Sequence, residues 1–182
     1  MPRLPTVSLE SATGPARELF DAVKHKLGGV PNMFRTMANS PAVLKAYLSF
    51  SGALAETSLA PKLREQIALA VAGVNHCDYC AAAHTALGKK AGLGEDETIA
   101  NRQGRAADPK VEAALRFALA IAERRGEVTD AELSATRAAG YNDAQIAEIV
   151  AAVALNLFTN YFNNVAQTEI DFPRARELAA SH

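Results

Sequence analysis

Residues 63–84 read LREQIALAVAGVNHCDYCAAAH, and this stretch predicts how the chain folds. Every residue from Ile67 to Val74 is apolar or glycine, so the segment predicts a helix that is buried on most of its circumference. Asn75 is a favourable N-cap residue, and it predicts the start of a second helix directly after the first. Two consecutive helices are therefore expected, with Glu65 at the entrance of the buried one.

The rest of the chain continues this helical pattern. Alanine, the best helix former, makes up 38 of the 182 residues, and proline and glycine fall mainly between apolar segments. Thr129 and Glu132 have the spacing of a capping box ahead of one helix, and Asp171–Pro173 predicts the start of a final short helix. No segment alternates with the period of two that is typical of a strand. We therefore predict an all-α, single-domain helical bundle over residues 1–182.

The charge balance of the chain limits its partners. The sequence has 19 Lys plus Arg and 20 Asp plus Glu, so its formal net charge is -1. A neutral chain lacks the electrostatic basis for binding nucleic acid or acidic lipid. No apolar run reaches the roughly 18 residues of a transmembrane helix, and the first residues lack the apolar core of a secretory signal. We expect a cytoplasmic protein, with neither a nucleic-acid nor a membrane partner.

The two cysteines of the chain, Cys77 and Cys80, form a C-x-x-C pair. With His84 they are spaced i, i+3 and i+7, so on a helix the three side chains share a face. A helix N-terminus lowers the pKa of a thiol, and a neighbouring imidazole can accept its proton. Glu65 either faces solvent or lies behind the histidine as a general base. This set of groups is typical of a site that reduces a peroxide through a sulfenic acid and a disulfide.

The same residues allow other interpretations. A zinc site using the cysteines with His76 and His84 fits poorly, because its ligands would lie on one helix face rather than converge from two elements. A pair of inert buried cysteines is a second alternative. A thioredoxin-like domain needs a β-α-β context that the chain lacks. Tyr79, between the cysteines, is either a packing residue or a hydroxyl donor to the site.

A set of asparagines recurs at helical spacing on the long C-terminal helix. The favoured interpretation is hydrogen bonding between helices, and the alternative is a polar groove or an interface. The set comprises Asn156, Asn160, Asn163 and Asn164, close to Tyr161.

The run Glu65-x11-Cys77-x-x-Cys80-x3-His84 resembles the core motif of the alkylhydroperoxidase D-like (AhpD-like) proteins, within the carboxymuconolactone decarboxylase superfamily. Four residue types and the three spacings between them all agree with that motif. Flanking segments are similar to the peroxidase-related branch of that superfamily. These segments are Val30-Pro-Asn-Met-Phe34, Asn163-Asn164 and Asp171-Phe-Pro.

This resemblance implies an AhpD-like helical fold, with a redox core at about residues 58–92, that assembles as a homo-oligomer, commonly a trimer or hexamer. It also implies that Cys80 is the peroxidatic cysteine and Cys77 the resolving one. His84 and Glu65 would form the proton relay, through a water. The implied substrate is a small hydroperoxide. No bound cofactor is implied, and an external dithiol reductant of lipoyl, thioredoxin-like or other type is expected.

One position departs from the family pattern. The family's relay has a second histidine immediately before the second cysteine, and here that position is Tyr79. A tyrosine donates a hydrogen bond but does not readily shuttle protons near neutral pH. The same residues are compatible with two alternatives to a peroxidase: a lyase acting on a carboxylated lactone with Glu65 and His84 as acid and base, and a non-catalytic oligomer that senses redox state. The decarboxylases of the superfamily do not rely on a cysteine pair, so Cys77 and Cys80 argue against the lyase.

Overall fold

The computed structural model describes residues 1–178, which form nine α-helices and no β-strand. The all-α prediction is confirmed for this part of the chain. In chain order the helices are α1 (Gly14–Leu27), α2 (Asn32–Met37), α3 (Pro41–Ala55), α4 (Pro61–Val74), α5 (Asp78–Lys90), α6 (Glu95–Asn101), α7 (Pro109–Glu123), α8 (Asp130–Ala138) and α9 (Asp143–Ala166).

Helix α4 lies at the centre of the bundle. It packs against α5, α7 and α9, and more lightly against α6. Ile67, Leu69, Ala70 and Val71 each have 0% of their surface exposed, so every side of the helix is covered. The predicted burial of this helix is confirmed. Because a helix that is apolar all round is stable only when neighbours surround it, α4 determines where the other helices pack.

The buried side chains form two clusters on either side of α4. The first fills the space between α4, α7 and α9 and includes Leu63, Ile67, Leu115, Ile149 and Val153. The second lies among α1, α2, α3 and the start of α5, and it contains both cysteines together with Phe20, Met37 and Leu44. The cysteines therefore lie at the junction of the central helix and the N-terminal helices.

The predicted helix boundaries were mostly right, with one clear error near the C-terminus. The capping box is confirmed, because Thr129 Oγ1 accepts from the Glu132 amide and the Glu132 carboxylate accepts from the Thr129 amide. The helix predicted to start at Asp171 is wrong, since residues 171–178 contain no helix. The carboxylate of Asp171 instead accepts from the Asn32 amide at 2.7 Å, so it caps α2 rather than a helix of its own. The last four residues of the chain lie outside the described part.

Helix α9 is the one helix within residues 1–178 that is long and apolar enough to span a membrane by length and composition. Its most apolar 18-residue window has a mean hydropathy of 1.2, whereas the sequence was expected to hold no such segment. Core helices of globular proteins share this length and composition, and α9 packs against α4 and α7. The buried face of α9 also carries Asn156, Asn160 and Asn163, which would be costly to place in lipid.

A glycine in α4 permits the close approach of the loop that follows α6. A Cβ added at Gly73 would lie 2.0 Å from the carbonyl oxygen of Arg102, so the backbone itself blocks a side chain there. We expect Gly73→Ala to lower the free energy of unfolding by about 3 kcal/mol. Gly52→Ala is the matched control, because nothing lies within 4 Å of its added Cβ; it should raise the free energy of unfolding by roughly 0.5 kcal/mol. Urea unfolding measures both, and equal stability of the two variants would contradict this packing.

Candidate functional site

The turn between α4 and α5 determines where the cysteines lie. Asn75 ends α4 instead of starting α5, so the predicted N-cap is wrong. The Asn75 side-chain amide donates back to the Val71 carbonyl at 2.8 Å, and His76 then adopts a left-handed φ of 48° to reverse the chain. Cys77 is the N-cap of α5, with its Sγ accepting from the Cys80 amide at 3.4 Å. Capping preference pointed to Asn75 because a thiol sulfur is a weaker acceptor than an amide oxygen.

This turn places the two cysteines in different environments. Cys80 is the third residue of α5, and His84 lies one turn further along the same face. Cys77 stands just outside the helix rather than on that face. Both thiols are free and almost completely buried, at 1% exposure for Cys77 and 2% for Cys80. The helix N-terminus therefore acts directly on the thiol of Cys80.

Glu65 and His84 form a hydrogen-bonded pair across α4 and α5. The distance from Glu65 Oε2 to His84 Nδ1 is 2.8 Å, and about a fifth of each side chain remains exposed (23% and 22%). Of the two positions predicted for Glu65, the structure shows the one beside His84. Burial lowers the pKa of His84, but the Glu65 carboxylate and the charge of Cys80 raise it more, so the net direction is upward.

The surroundings of Cys80 favour its thiolate. A hydrogen bond from the Cys77 thiol is the largest influence, and it lowers the pKa of Cys80 to about 6 against the opposing effect of burial. The charge of His84 and a hydrogen bond from Asn163 lower it further. The pKa of Cys77 is raised well above its ordinary range, first by the same hydrogen bond and then by burial. At neutral pH the pair therefore holds one thiolate, on Cys80, and one thiol, on Cys77.

Asn163 contacts the reactive sulfur, and this contact was not predicted from the sequence. Its side-chain amide donates to Cys80 Sγ and to Met33 Sδ, both at 3.3 Å. The favoured expectation of helix–helix hydrogen bonds does hold for Asn164, which donates to the Asn75 carbonyl at 3.0 Å. The sequence shows that asparagines recur at helical spacing on one apolar helix. This pattern does not indicate which of them contacts the cysteine.

The hydroxyl of Tyr79 forms hydrogen bonds with residues other than the two cysteines. Its hydroxyl donates to the Asp171 carboxylate at 2.9 Å and accepts from the Met33 amide at 3.2 Å. Its ring meets that of Phe172 edge to face, with centroids 5.8 Å apart. Burial raises the pKa of Tyr79 above its ordinary value, so the hydroxyl stays protonated. Tyr79 thus holds the C-terminal segment against α2 while its ring forms part of the site wall.

A cavity of about 690 Å³ opens onto these groups. Glu65, Tyr79, Cys80 and His84 all contribute to its wall, whereas Cys77 is not among the lining residues. The volume lies in the range of small-molecule sites. A molecule in the cavity would therefore meet the thiolate of Cys80 first, with the second thiol behind it.

The other residue considered as a zinc ligand, His76, does not belong to this centre. His76 is exposed in the turn between α4 and α5. Within residues 1–178, no three His, Cys, Asp or Glu side chains are grouped as metal ligands would be.

Comparison with solved structures places this fold among known proteins. The chain superposes on the AhpD core of a peroxidase-related protein from Ralstonia eutropha JMP134 with a TM-score of 0.82, at 29% identity, covering 93% of this chain and 92% of that one. A peroxidase-related protein from Silicibacter sp. TM1040 gives a TM-score of 0.77 at 26% identity, with coverages of 92% and 93%. A variant of the debrominase Bmp8 in complex with 2,3,4-tribromopyrrole gives 0.79 at 20% identity, with coverages of 94% and 93%, and shares the fold.

Similarity to a known family is found in the sequence as well as in the structure. The sequence profile of the carboxymuconolactone decarboxylase family matches residues 41–124, which span α3 to α7 and include both cysteines. No curated protein matches the chain. With a fold that matches the helical AhpD core over nearly its whole length, the chain is similar to the AhpD-like proteins, and its central part is similar to the carboxymuconolactone decarboxylase family.

Proposed function

We propose that the protein is a thiol-dependent peroxidase that reduces organic hydroperoxides through Cys80 and Cys77. The observation that carries the proposal is the position of Cys80, whose sulfur faces the cavity at a helix N-terminus and accepts a hydrogen bond from Asn163. The peroxidase-related proteins that share the fold at 26–29% identity support it.

The proposed reaction begins with attack of the Cys80 thiolate on the terminal oxygen of the hydroperoxide. The O–O bond breaks, the alkoxide leaves and takes a proton from the His84 imidazolium, and Cys80 becomes a sulfenic acid. The Cys77 thiol then condenses with this sulfenic acid, which releases water and forms a disulfide. Glu65 holds the His84 ring and stabilises its charged form.

A dithiol reductant completes the proposed cycle. Its thiolate attacks Cys77, and Cys80 leaves as the thiolate because the thiol with the lower pKa is the better leaving group. The second thiol of the reductant then attacks the mixed disulfide and frees Cys77. A lipoyl group or a thioredoxin-like protein supplies two such thiols, and no bound cofactor is required. This chemistry is suited to the reducing cytoplasm, where we place the protein.

Tyr79 stands where the family's relay has a second histidine, so the proposed relay consists of Glu65 and His84 alone. The hydroxyl of Tyr79 is occupied by Asp171 and Met33. We therefore assign Tyr79 to the wall of the site and not to proton transfer.

A second candidate activity is reductive dehalogenation. The fold is shared with a debrominase, and the rings of Phe34, Tyr47 and Phe172 line the cavity, so it can hold a flat halogenated ring. Release of bromide from 2,3,4-tribromopyrrole in the presence of a dithiol tests this candidate directly.

The homo-oligomer belongs to the same proposal. Helix α9 exposes a row of apolar side chains at helical spacing, formed by Val150, Phe158, Tyr161 and Val165. Contiguous exposed apolar surface of this kind is typical of an interface. A trimer or hexamer would cover this row.

The thiolate assignment predicts the order in which the cysteines react. Iodoacetamide should modify Cys80 faster than Cys77 at neutral pH, with the rate at Cys80 half-maximal near pH 6 and falling at lower pH as the sulfur is protonated. Asn163→Leu removes a donor to the thiolate and should raise this midpoint by about one pH unit. Asn164→Leu is the matched control and should leave it unchanged. Equal rates at both cysteines, with an ordinary thiol titration, would contradict the assignment.

The peroxidase proposal predicts distinct behaviour for the two cysteine variants. With a dithiol reductant, Cys80→Ser should lose hydroperoxide consumption at least a hundredfold, because the attacking sulfur is gone. Cys77→Ser should accumulate a sulfenic acid on Cys80, which a dimedone adduct would reveal by mass spectrometry. Consumption by Cys80→Ser at the wild-type rate would refute the proposal. A lactone decarboxylation lost in His84→Ala and kept in Cys80→Ser would support the lyase instead.

The oligomer proposal predicts a charge-sensitive association. Sedimentation velocity at micromolar concentration should show a trimer or hexamer, and Val165→Glu should dissociate it because a carboxylate would be buried at the contact. Ala135→Glu, on the exposed side of α8, is the control. A wild-type monomer would remove the inference.

A further inference from the structure

Among the described residues of the cavity wall, the carboxylates are already bonded, whereas the two lysines form no salt bridge. Its two carboxylates already have partners: Glu65 bonds to His84, and Asp171 bonds to Tyr79 and to the amide of Asn32. Lys26 and Lys90 also line the cavity, and neither forms a salt bridge with another residue in the range 1–178. An unpaired ammonium group in the wall favours a ligand that brings its own negative charge.

Lys90 and Cys80 lie at opposite ends of α5. Cys80 is in the first turn of α5 and Lys90 is its last residue, and at the rise of an α-helix the ten intervening steps separate them by about 15 Å. His84 and Leu87 line the cavity between them, so one face of α5 follows the cavity from thiol to lysine. Helix C-termini commonly carry lysine to complement the helix dipole. Lys89 is paired with Glu95, whereas Lys90 lines the cavity.

The rest of the wall suits an extended apolar group. Side chains from α1, α2 and α3 face α5 across a space far larger than a butyl hydroperoxide fills, in a cavity of about 690 Å³. Each methylene buried there would strengthen binding roughly fourfold. A long hydrocarbon chain therefore uses the cavity far better than a short one does. The apolar side chains opposite α5 include Val23, Phe34, Tyr47, Leu48 and Leu54.

We propose that the preferred substrate is a long-chain hydroperoxide that carries a carboxylate, of which a free fatty-acid hydroperoxide is the simplest form. Its peroxide group would lie at Cys80, its chain would run along α5 past Leu87, and its carboxylate would pair with Lys90 and Lys26. This inference rests on the proposed peroxidase function and specifies its substrate. The products would be the corresponding hydroxy acid and the oxidised cysteine pair.

Turnover of matched substrates tests the inference. With monomeric linoleic acid hydroperoxide, its methyl ester and tert-butyl hydroperoxide, the wild type should show the highest kcat/KM for the acid, about tenfold above the ester. Lys90→Met and Lys26→Met should each lower the acid-to-ester ratio toward one, because they remove the partner of the carboxylate. Lys89→Met is the matched control and should keep both the ratio and the rates of the wild type. An acid-to-ester ratio near one in the wild type would overturn the inference.

A binding measurement separates this inference from the peroxidase proposal. Cys80→Ser protein can be titrated by calorimetry with linoleate and with methyl linoleate, which need no peroxide chemistry. Tighter binding of linoleate that weakens severalfold in the Cys80→Ser, Lys90→Met double variant supports the ligand class even if the wild type consumes no hydroperoxide. Consumption of tert-butyl hydroperoxide together with no binding of linoleate would support the peroxidase and overturn the ligand class.

Discussion

The burial of α4 on every side is the constraint on which the rest of the structure depends. Because Ile67, Leu69 and Val71 have no exposed surface, α5, α7 and α9 must all pack against one helix. This arrangement places Glu65 opposite His84 and brings the far end of α9 to Cys80. The glycine at position 73 lets the loop after α6 approach the same helix on its remaining side. The site is therefore a product of the packing around α4.

The chemistry of Cys80 results from a balance between burial and hydrogen bonding. Burial alone would raise the pKa of a thiol and leave it unreactive. Here the hydrogen bond from Cys77 outweighs burial, and His84 and Asn163 add to it, so the pKa falls to about 6. The same contact raises the pKa of Cys77. One hydrogen bond thus gives two adjacent cysteines opposite protonation states, which is the asymmetry that a nucleophile and a resolving thiol require.

Much of the fold was accessible from the sequence because it depends on local patterns. Helix periodicity, the Thr129–Glu132 capping box and the continuous apolar run in α4 each predict an element that is present. The errors arose where a polar side chain had two possible partners. Asn75 bonds back into α4 instead of capping α5, and Asp171 caps α2 instead of a helix of its own. Local preference identifies such residues as caps but does not indicate which helix they serve.

The sequence by itself determined that the chain is helical and that Cys77, Cys80 and His84 lie close together, because their spacing is a short-range property, whereas the place of Glu65 beside His84 was decided by the packing of α4 against α5. Only the tertiary structure decided that Asn163, 83 residues from Cys80, is the donor to its sulfur, and that Tyr79 bonds to the C-terminal segment. It also decided which lysines line the cavity. These contacts join distant segments, and their geometry depends on how the helices pack around α4, which no local pattern encodes.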